Sequence, residues 1–484
     1  MRPGRVRQGG WADRALRMLA GVWLVGLGGC RTWPPPLAPP SSQSEQVVLR
    51  YHVTYVREPE HALEVALERG PGAPVDFLFT VPGDVDSVQA VSEAGAVREV
   101  SVEDGGVSVP RDTRQVRYRY ALEGAGHRRR YSPGMSGGQG DARVVSGQAW
   151  LLRPRGVRPS LRAELWIHGA EALLPWKPVS KGLYRLTGED LVDSGFHGFG
   201  VRRCEVEVEG GSLEVGLLGD AGEDARRCAW VRQAAEEVLT VRRRFPYARA
   251  TVLVVPVPGR GEAGVFGRVW WSMPPSVALL AGERASAPSF TEDWVAVHEL
   301  LHLAHPIFLP RVSWLSEGLA TYYTELAKAR SGRHSARQGW ENLVDGFSRG
   351  RAQAGSRTME EVAAHGSLYQ GLYWSGALLA LHLDVELRRL TDNRVCLESV
   401  LERLGEAGPT STQQAFGATV DALAGQPLFD AVLRRHLSAT AFAEEQPLRD
   451  ALGVKGEAGG LQFVPAPLAP VREALMVGAC GRAP

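Results

Sequence analysis

The chain has 484 residues, 44% of them hydrophobic, and 55 Lys and Arg stand against 54 Asp and Glu for a formal charge of +1. That length can bury large cores and predicts two or three domains. A near-neutral balance without a basic tract excludes a nucleic-acid partner and gives no reason to expect a strongly acidic or basic substrate.

The first thirty residues read as an address. Arg2, Arg5, Arg7, Arg14 and Arg17 precede the apolar run Met18–Val25, and Leu27-Gly28-Gly29-Cys30 follows. The pattern predicts a lipoprotein signal over residues 1–29, with the Cys30 thiol carrying lipid. An ordinary signal peptide with a chance cysteine, or a short anchor, has a similar pattern, but the apolar run is short for a span. Removing 1–29 takes the charge from +1 to −3 (50 Lys and Arg against 53 Asp and Glu). The Pro-rich stretch Trp33–Ser42 then predicts a stiff tether over 30–46. The expected location is the bacterial cell envelope, on an outer-membrane or periplasmic face, with a membrane contacted through the lipid.

Beyond the tether the fold class reads as α+β. Residues 47–180 predict an antiparallel β-domain: 47–56, 61–68, 75–81 and 116–120 alternate in hydropathy. Trp150-Leu151-Leu152 and Ala163–Ile167 predict two further strands, and the run around Arg128-Arg129-Arg130 an exposed loop. Residues 181–355 predict a mixed domain, with strands at 205–208, 212–215, 251–257 and 276–280. Asp224–Arg243 has a helical apolar stripe. The strand at 276–280 is expected to be an edge beside the next helix, where an extended peptide could pair. Residues 356–470 read as a helical domain, with stripes at 374–403, 412–424 and 427–438, and 471–484 as a tail. The four remaining cysteines, Cys204, Cys228, Cys396 and Cys480, permit two disulfides in an oxidising compartment. Pairing by sequence proximity gives Cys204–Cys228 and Cys396–Cys480, one of three connectivities.

The chemistry concentrates in His298-Glu299-Leu300-Leu301-His302. Four residues along a helix is about one turn and about 6 Å of rise, so both imidazoles leave one face and can share one ion. Glu299 can then act as general base toward water activated at that ion. Ser289 and Glu292 predict a capping box opening this helix, which Pro306 ends. A zinc site needs a third protein ligand and one open position. Trp314-Leu315-Ser316-Glu317-Gly318 offers Glu317, with fourteen residues between it and His302. His305 is another donor in reach, although its neighbour Pro306 suits a helix end. Glu325 is either a partner orienting a ligand or a residue on an exposed helical face.

These motifs resemble the glycyl aminopeptidase-like gluzincins, relatives of aminopeptidase N. The zinc motifs carry the likeness, with Leu191-Val192-Asp193-Ser194 and Gly198, Tyr373-Trp374-Ser375-Gly376-Ala377-Leu378, and 421–437. The resemblance implies a thermolysin-like catalytic domain and one Zn²⁺ held by His298, His302 and Glu317. It implies Glu299 as general base and Tyr373 as donor to the oxyanion; Tyr373 would otherwise be a core aromatic at a helix start. The expected substrate is a peptide or protein. Three departures stand out: a short interval from His302 to Glu317, no room for a PDZ domain, and no Glu in Phe266–Pro275, where relatives hold a free amine. The last favours an endopeptidase or restricted exopeptidase. Trp270, Trp271 and Met273 line either an apolar specificity pocket or a packed strand end. A catalytically silent envelope lipoprotein on the same scaffold is the rival reading. Oligomeric state is not legible.

Overall fold

The computed structural model describes residues 47–80, 84–122, 136–478 and 480. The signal and tether, with Cys30, and the Arg128–Arg130 run lie outside the described residues. No helix among the described residues is long and apolar enough to cross a membrane.

A seven-stranded sheet opens the fold. Its order is Leu183–Thr187, Arg162–His168, Leu49–Val56, Ala62–Arg69, Thr113–Ala121, Val85–Ser92 and Val97–Val100. Period-two alternation sends Leu49, Tyr51, Val53 and Tyr55 inward while Arg50 and Thr54 face solvent. All neighbours are antiparallel except Leu49–Val56 with Arg162–His168, which run parallel. Leu183–Thr187 carries this sheet past residue 180. Trp150 is not in a strand: Gly147–Trp150 is one helical turn, and the Trp150 indole is buried against the ring of His197. A run of three apolar residues has no period, so the sequence could not separate the two forms.

A five-stranded sheet follows in the order Arg202–Val208, Gly211–Leu217, Arg249–Val257, Ser276–Gly282 and Gly264–Trp270. Its centre is parallel and buried on both faces, hence the continuous apolar runs of Arg249–Val257 and Ser276–Gly282. Ser276–Gly282 is therefore interior. The edge is Gly264–Trp270, a later partner in space though earlier in sequence, and it packs on the helix Val295–His302.

Beyond residue 290 the chain is helical apart from two-residue strands such as Ile307–Phe308 and Thr410–Ser411. The main helices are Ser313–Arg330, Ala336–Ala354, Tyr369–Leu390, Leu397–Ala407, Gln413–Ala424 and Phe429–Leu437. Asp392 and Asn393, both at positive φ, break the stripe expected to run from 374 to 403. One hydrophobic core runs from Val206 to Met476, so the helices after 356 share the core of the second sheet. Cys204–Cys228 ties strand Arg202–Val208 to helix Asp224–Leu239, and Cys396–Cys480 ties the start of Leu397–Ala407 to the C-terminal segment.

Candidate metal centre

His298 and His302 lie on the helix Val295–His302, whose start differs from the expected one. Residues 287–292 form a separate turn, and Ser289 bonds back to the Ser286 carbonyl instead of capping. Asp293 is the cap: its carboxylate accepts from the Ala296 N–H at 2.9 Å and from the Trp230 indole N–H at 3.0 Å. A cap anchored on a buried tryptophan fixes where the first imidazole emerges.

Glu317 lies in the first turns of helix Ser313–Arg330. Its Oε2 is 3.3 Å from His298 Nε2 and 3.4 Å from His302 Nε2, and one donor atom from each residue falls within 4.8 Å of the others. Burial pushes Glu317 upward, but His302 and His298 overcome it and hold its carboxyl well below the usual range. Burial likewise drives His302 down, and Glu317 and Glu299 outweigh it, leaving its pKa raised. His298, where burial dominates, is lowered to about 4.

A hydrogen-bond partner stands behind one imidazole and an aromatic stack beside the other, whose own Nδ1 has no partner among the described residues. His305 Nδ1 is 2.9 Å from the Pro306 carbonyl, which requires a proton on that nitrogen. Its Nε2 is then an acceptor, 3.3 Å from His302 Nδ1. His302 must donate there, which leaves Nε2, on the side of Glu317, as the nitrogen whose lone pair a metal ion would share. His305 is thus a hydrogen-bond partner of the candidate ligand His302 and stands outside the converging set. On the other imidazole, the Trp294 indole stacks on the His298 ring at 4.1 Å, and the indole N–H donates to Glu325 at 3.0 Å. Glu325 also accepts from Asn342 at 2.8 Å, and it is buried rather than exposed. It acts on His298 through Trp294.

Glu299 faces the edge strand. Gly267 passes so close that a Cβ there would lie 2.8 Å from the Glu299 carboxyl carbon. Burial raises Glu299 to about 7, against the lowering effects of His302 and, more weakly, of Arg268 and the Val269 N–H that bonds the carboxylate. Tyr373, in the first turns of Tyr369–Leu390, stacks beside His298 at 5.6 Å and hydrogen-bonds Glu317. Burial, then the charges of Glu317 and Glu299, raise its pKa, so the hydroxyl keeps its proton.

These side chains floor a cleft of about 1270 Å³. The edge strand and Trp271 line it, as do Tyr369, Tyr373 and Trp374. Thr80, Gln148 and Asp193 reach in from the N-terminal half. Trp270 and Trp271 line the cleft, whereas Met273 is 41% exposed and lies off it. Two imidazoles and a carboxylate converging through unblocked donor atoms suit Zn²⁺, with the cleft side left open. Cys396, Glu398 and Cys480 also cluster, but both thiols are consumed by the disulfide.

Sequence reasoning found the three ligand candidates, Glu299 and Tyr373. It missed Trp294, Gly267 and the bond from His302 to His305. The tryptophan just before the helix and the histidine three residues beyond it were the available signals.

No family model and no curated protein matches the sequence. Among solved structures, an aminopeptidase N family protein from Idiomarina loihiensis matches with a TM-score of 0.65 and 19% identity, over 84% of this chain and 78% of that one. An M1 zinc metallopeptidase from Deinococcus radiodurans matches with a TM-score of 0.44 and 16% identity, over 81% and 93% respectively. By the first of these likenesses, the chain has the fold of an aminopeptidase N family protein.

Proposed function

We propose that this chain is a zinc metallopeptidase, and that it works as an endopeptidase or restricted exopeptidase held at a bacterial membrane by lipid on Cys30. The observation that carries the hydrolytic reading is the convergence of His298, His302 and Glu317 within 4.8 Å on the floor of one cleft that also holds Glu299 and Tyr373. When bound by the three ligands, zinc supplies Lewis acidity toward water and toward a peptide carbonyl. Glu299 takes the proton of the attacking water, being buried beside His302 with a pKa near neutrality, and passes it to the departing amine. Tyr373 donates its hydroxyl proton as a hydrogen bond to the oxygen on which charge develops. The edge strand Gly264–Trp270 lines the cleft and has no strand on its outer side, where an extended peptide can add as a sixth strand alongside the Val269 N–H that Glu299 takes.

The preference for internal cleavage rests on the same strand, which carries Arg268 and no carboxylate to hold a free amine. Location rests on the sequence pattern ending at Cys30 alone.

The test is digestion of a complex peptide mixture by zinc-loaded residues 31–484 and by its Glu299→Gln variant, with new termini mapped by mass spectrometry. Internal cuts that vanish in the variant support the proposal. Stepwise removal of N-terminal residues would replace it with an aminopeptidase. Zinc bound by both proteins with no difference in cleavage would leave a silent scaffold.

A further inference from the structure

Arg268 sits on the edge strand, immediately after the glycine that covers Glu299, and lines the cleft. Its guanidinium lies over the Trp270 ring, 5.4 Å from the centroid, a cation–π contact that keeps the cation beside the strand. Among the described residues it has no hydrogen bond and no ion pair. The charges that act on it are Arg311, a second cation lining the same cleft, which opposes it, and Glu299, which favours it. Arg311 likewise makes no ion pair among the described residues, although it acts on Asp193 across the cleft. Arg349, the third guanidinium of the cleft, is already paired with Asp345. Nearly every other half-buried or buried arginine of the fold has an acceptor: Arg202 has Asp224, Arg249 has Glu214, and Arg388 has Asp384.

A cation withdrawn from water beside another cation is costly unless an anion completes it. A guanidinium presents parallel N–H donors that match a carboxylate. The edge strand is also where the backbone of an added peptide would run, and strand neighbours lie about 4.8 Å apart. A side chain of that peptide therefore comes level with Arg268 close to the bond presented to Glu299.

Building on the peptidase reading above, we propose that Arg268, assisted by Arg311, is a specificity residue that binds a peptide carboxylate next to the scissile bond. The substrate class is peptides carrying an acidic group there, supplied by an Asp or Glu side chain or by a free C-terminus. The chain's near-zero overall charge conceals this preference because it is set by two guanidiniums in one cleft.

Binding separates this inference from turnover. Three peptides of one length are titrated into Glu299→Gln protein: one with a central Glu and an amidated end, one with Gln and a free C-terminus, and one with Gln and an amidated end. At least one carboxylate-bearing peptide should bind about tenfold more tightly than the neutral one, as suits a charge-assisted pair. The Arg268→Gln change, added to the same protein, should abolish that difference, read as the ratio of charged to neutral peptide affinity within each protein. A preference for the Glu peptide identifies the side chain as the source, and one for the free C-terminus identifies the chain end. Equal binding of all three, or a preference that survives Arg268→Gln, overturns the proposal even where active protein cuts peptides. If the preference is present but no peptide is ever cut, the peptidase reading fails and the carboxylate site stands.

Discussion

Gly318 and Gly376 meet backbone to backbone where the Glu317 helix crosses the Tyr373 helix: a Cβ on Gly318 would lie 2.6 Å from the Gly376 Cα. The crossing brings residue 317 of one helix against residue 373 of the other, one position before the first glycine and three before the second. Ordinary helices keep their axes 8–10 Å apart because side chains intervene, roughly the spacing a Cβ would impose here. Gly376→Ala should therefore push the helices apart, moving Glu317 away from two imidazoles carried on a third helix. Overpacking of this kind costs about 1–3 kcal/mol of stability. Zinc affinity, measured by competition with a chromogenic chelator, should fall along with the denaturation midpoint. Gly366→Ala, with open space around it, should change neither. An unchanged zinc affinity in Gly376→Ala would show that the crossing does not set the ligand geometry.

Tyr373 makes two kinds of contact that one substitution separates. Its ring stacks beside His298 and meets the Tyr369 ring edge to face, and its hydroxyl bonds Glu317. Tyr373→Phe keeps the ring and deletes the hydroxyl. With the hydroxyl stabilising the oxyanion, kcat should drop about a hundredfold. KM and bound zinc should hardly move. A residue that served only as a packed aromatic would give a fully active Phe variant.

The two histidines of the candidate metal centre are braced differently, and removing each brace should give a different result. His305 bonds His302 directly, so His305→Phe removes the acceptor that fixes its tautomer. Outer partners of this kind are worth about 10–100-fold in metal affinity. Glu325 reaches His298 only through the Trp294 indole, so Glu325→Leu should weaken zinc by a smaller factor while costing stability through the unpaired Trp294 and Asn342 donors. Zinc titration of both variants checks the order, and the reverse ranking would place the main support on the tryptophan stack.

The separation between direct and indirect support also marks how far the sequence could be read. His298, Glu299 and His302 were legible because a helix converts a spacing of four into a shared face. Glu317 was legible from its motif. The cap was not: Ser289 with Glu292 satisfies the local rule, and Asp293 displaces them only because the Trp230 indole, sixty-three residues earlier, reaches it. Strand order was hidden for a similar reason. Ser276–Gly282 and Gly264–Trp270 are both apolar enough for a sheet, and sequence order does not say which becomes the edge. Arg268 gave no signal until its neighbours were known. The disulfide pairs were readable as the nearest pairing, but nothing local favoured it over two others.

Cys396–Cys480 closes a loop of 84 residues and secures the chain after helix Ala469–Val477. That helix packs against Ser313–Arg330, and Arg330 donates to the Leu475 carbonyl at 2.9 Å. A cross-link over a loop of this length contributes about 2–4 kcal/mol. The Cys396→Ser, Cys480→Ser double variant should therefore show faster amide exchange in 469–477 than the parent. Removing Cys204–Cys228 should leave exchange there unchanged, because it ties a strand to a helix elsewhere. Equal protection of 469–477 in all three proteins would mean that packing alone holds the helix.

His197 should make the fold acid-sensitive. It is fully buried on strand Phe196–Phe199, with its ring between Trp150 and Trp176. Its Nδ1 accepts from the Trp150 indole at 3.2 Å and its Nε2 donates to the Ser194 carbonyl at 2.7 Å, so one neutral tautomer satisfies both partners. Burial lowers its pKa to about 3, against the weaker opposing effect of the Ser194 carbonyl. The sign follows from linkage. Between pH 6.5 and 3 the unfolded histidine takes up a proton that the folded one refuses, so stability falls as pH falls through that window. At pH 5 the loss from this residue is about 2 kcal/mol relative to pH 7 and above. His197→Gln can keep an acceptor for Trp150 and a donor for Ser194 without titrating. Its denaturation midpoint should be lower than the parent's at pH 8 and should decline less steeply toward pH 5, the two curves converging by that amount. Every other titrating group is common to both proteins and cancels in the difference. Parallel curves would show that protonation at this position is not coupled to unfolding.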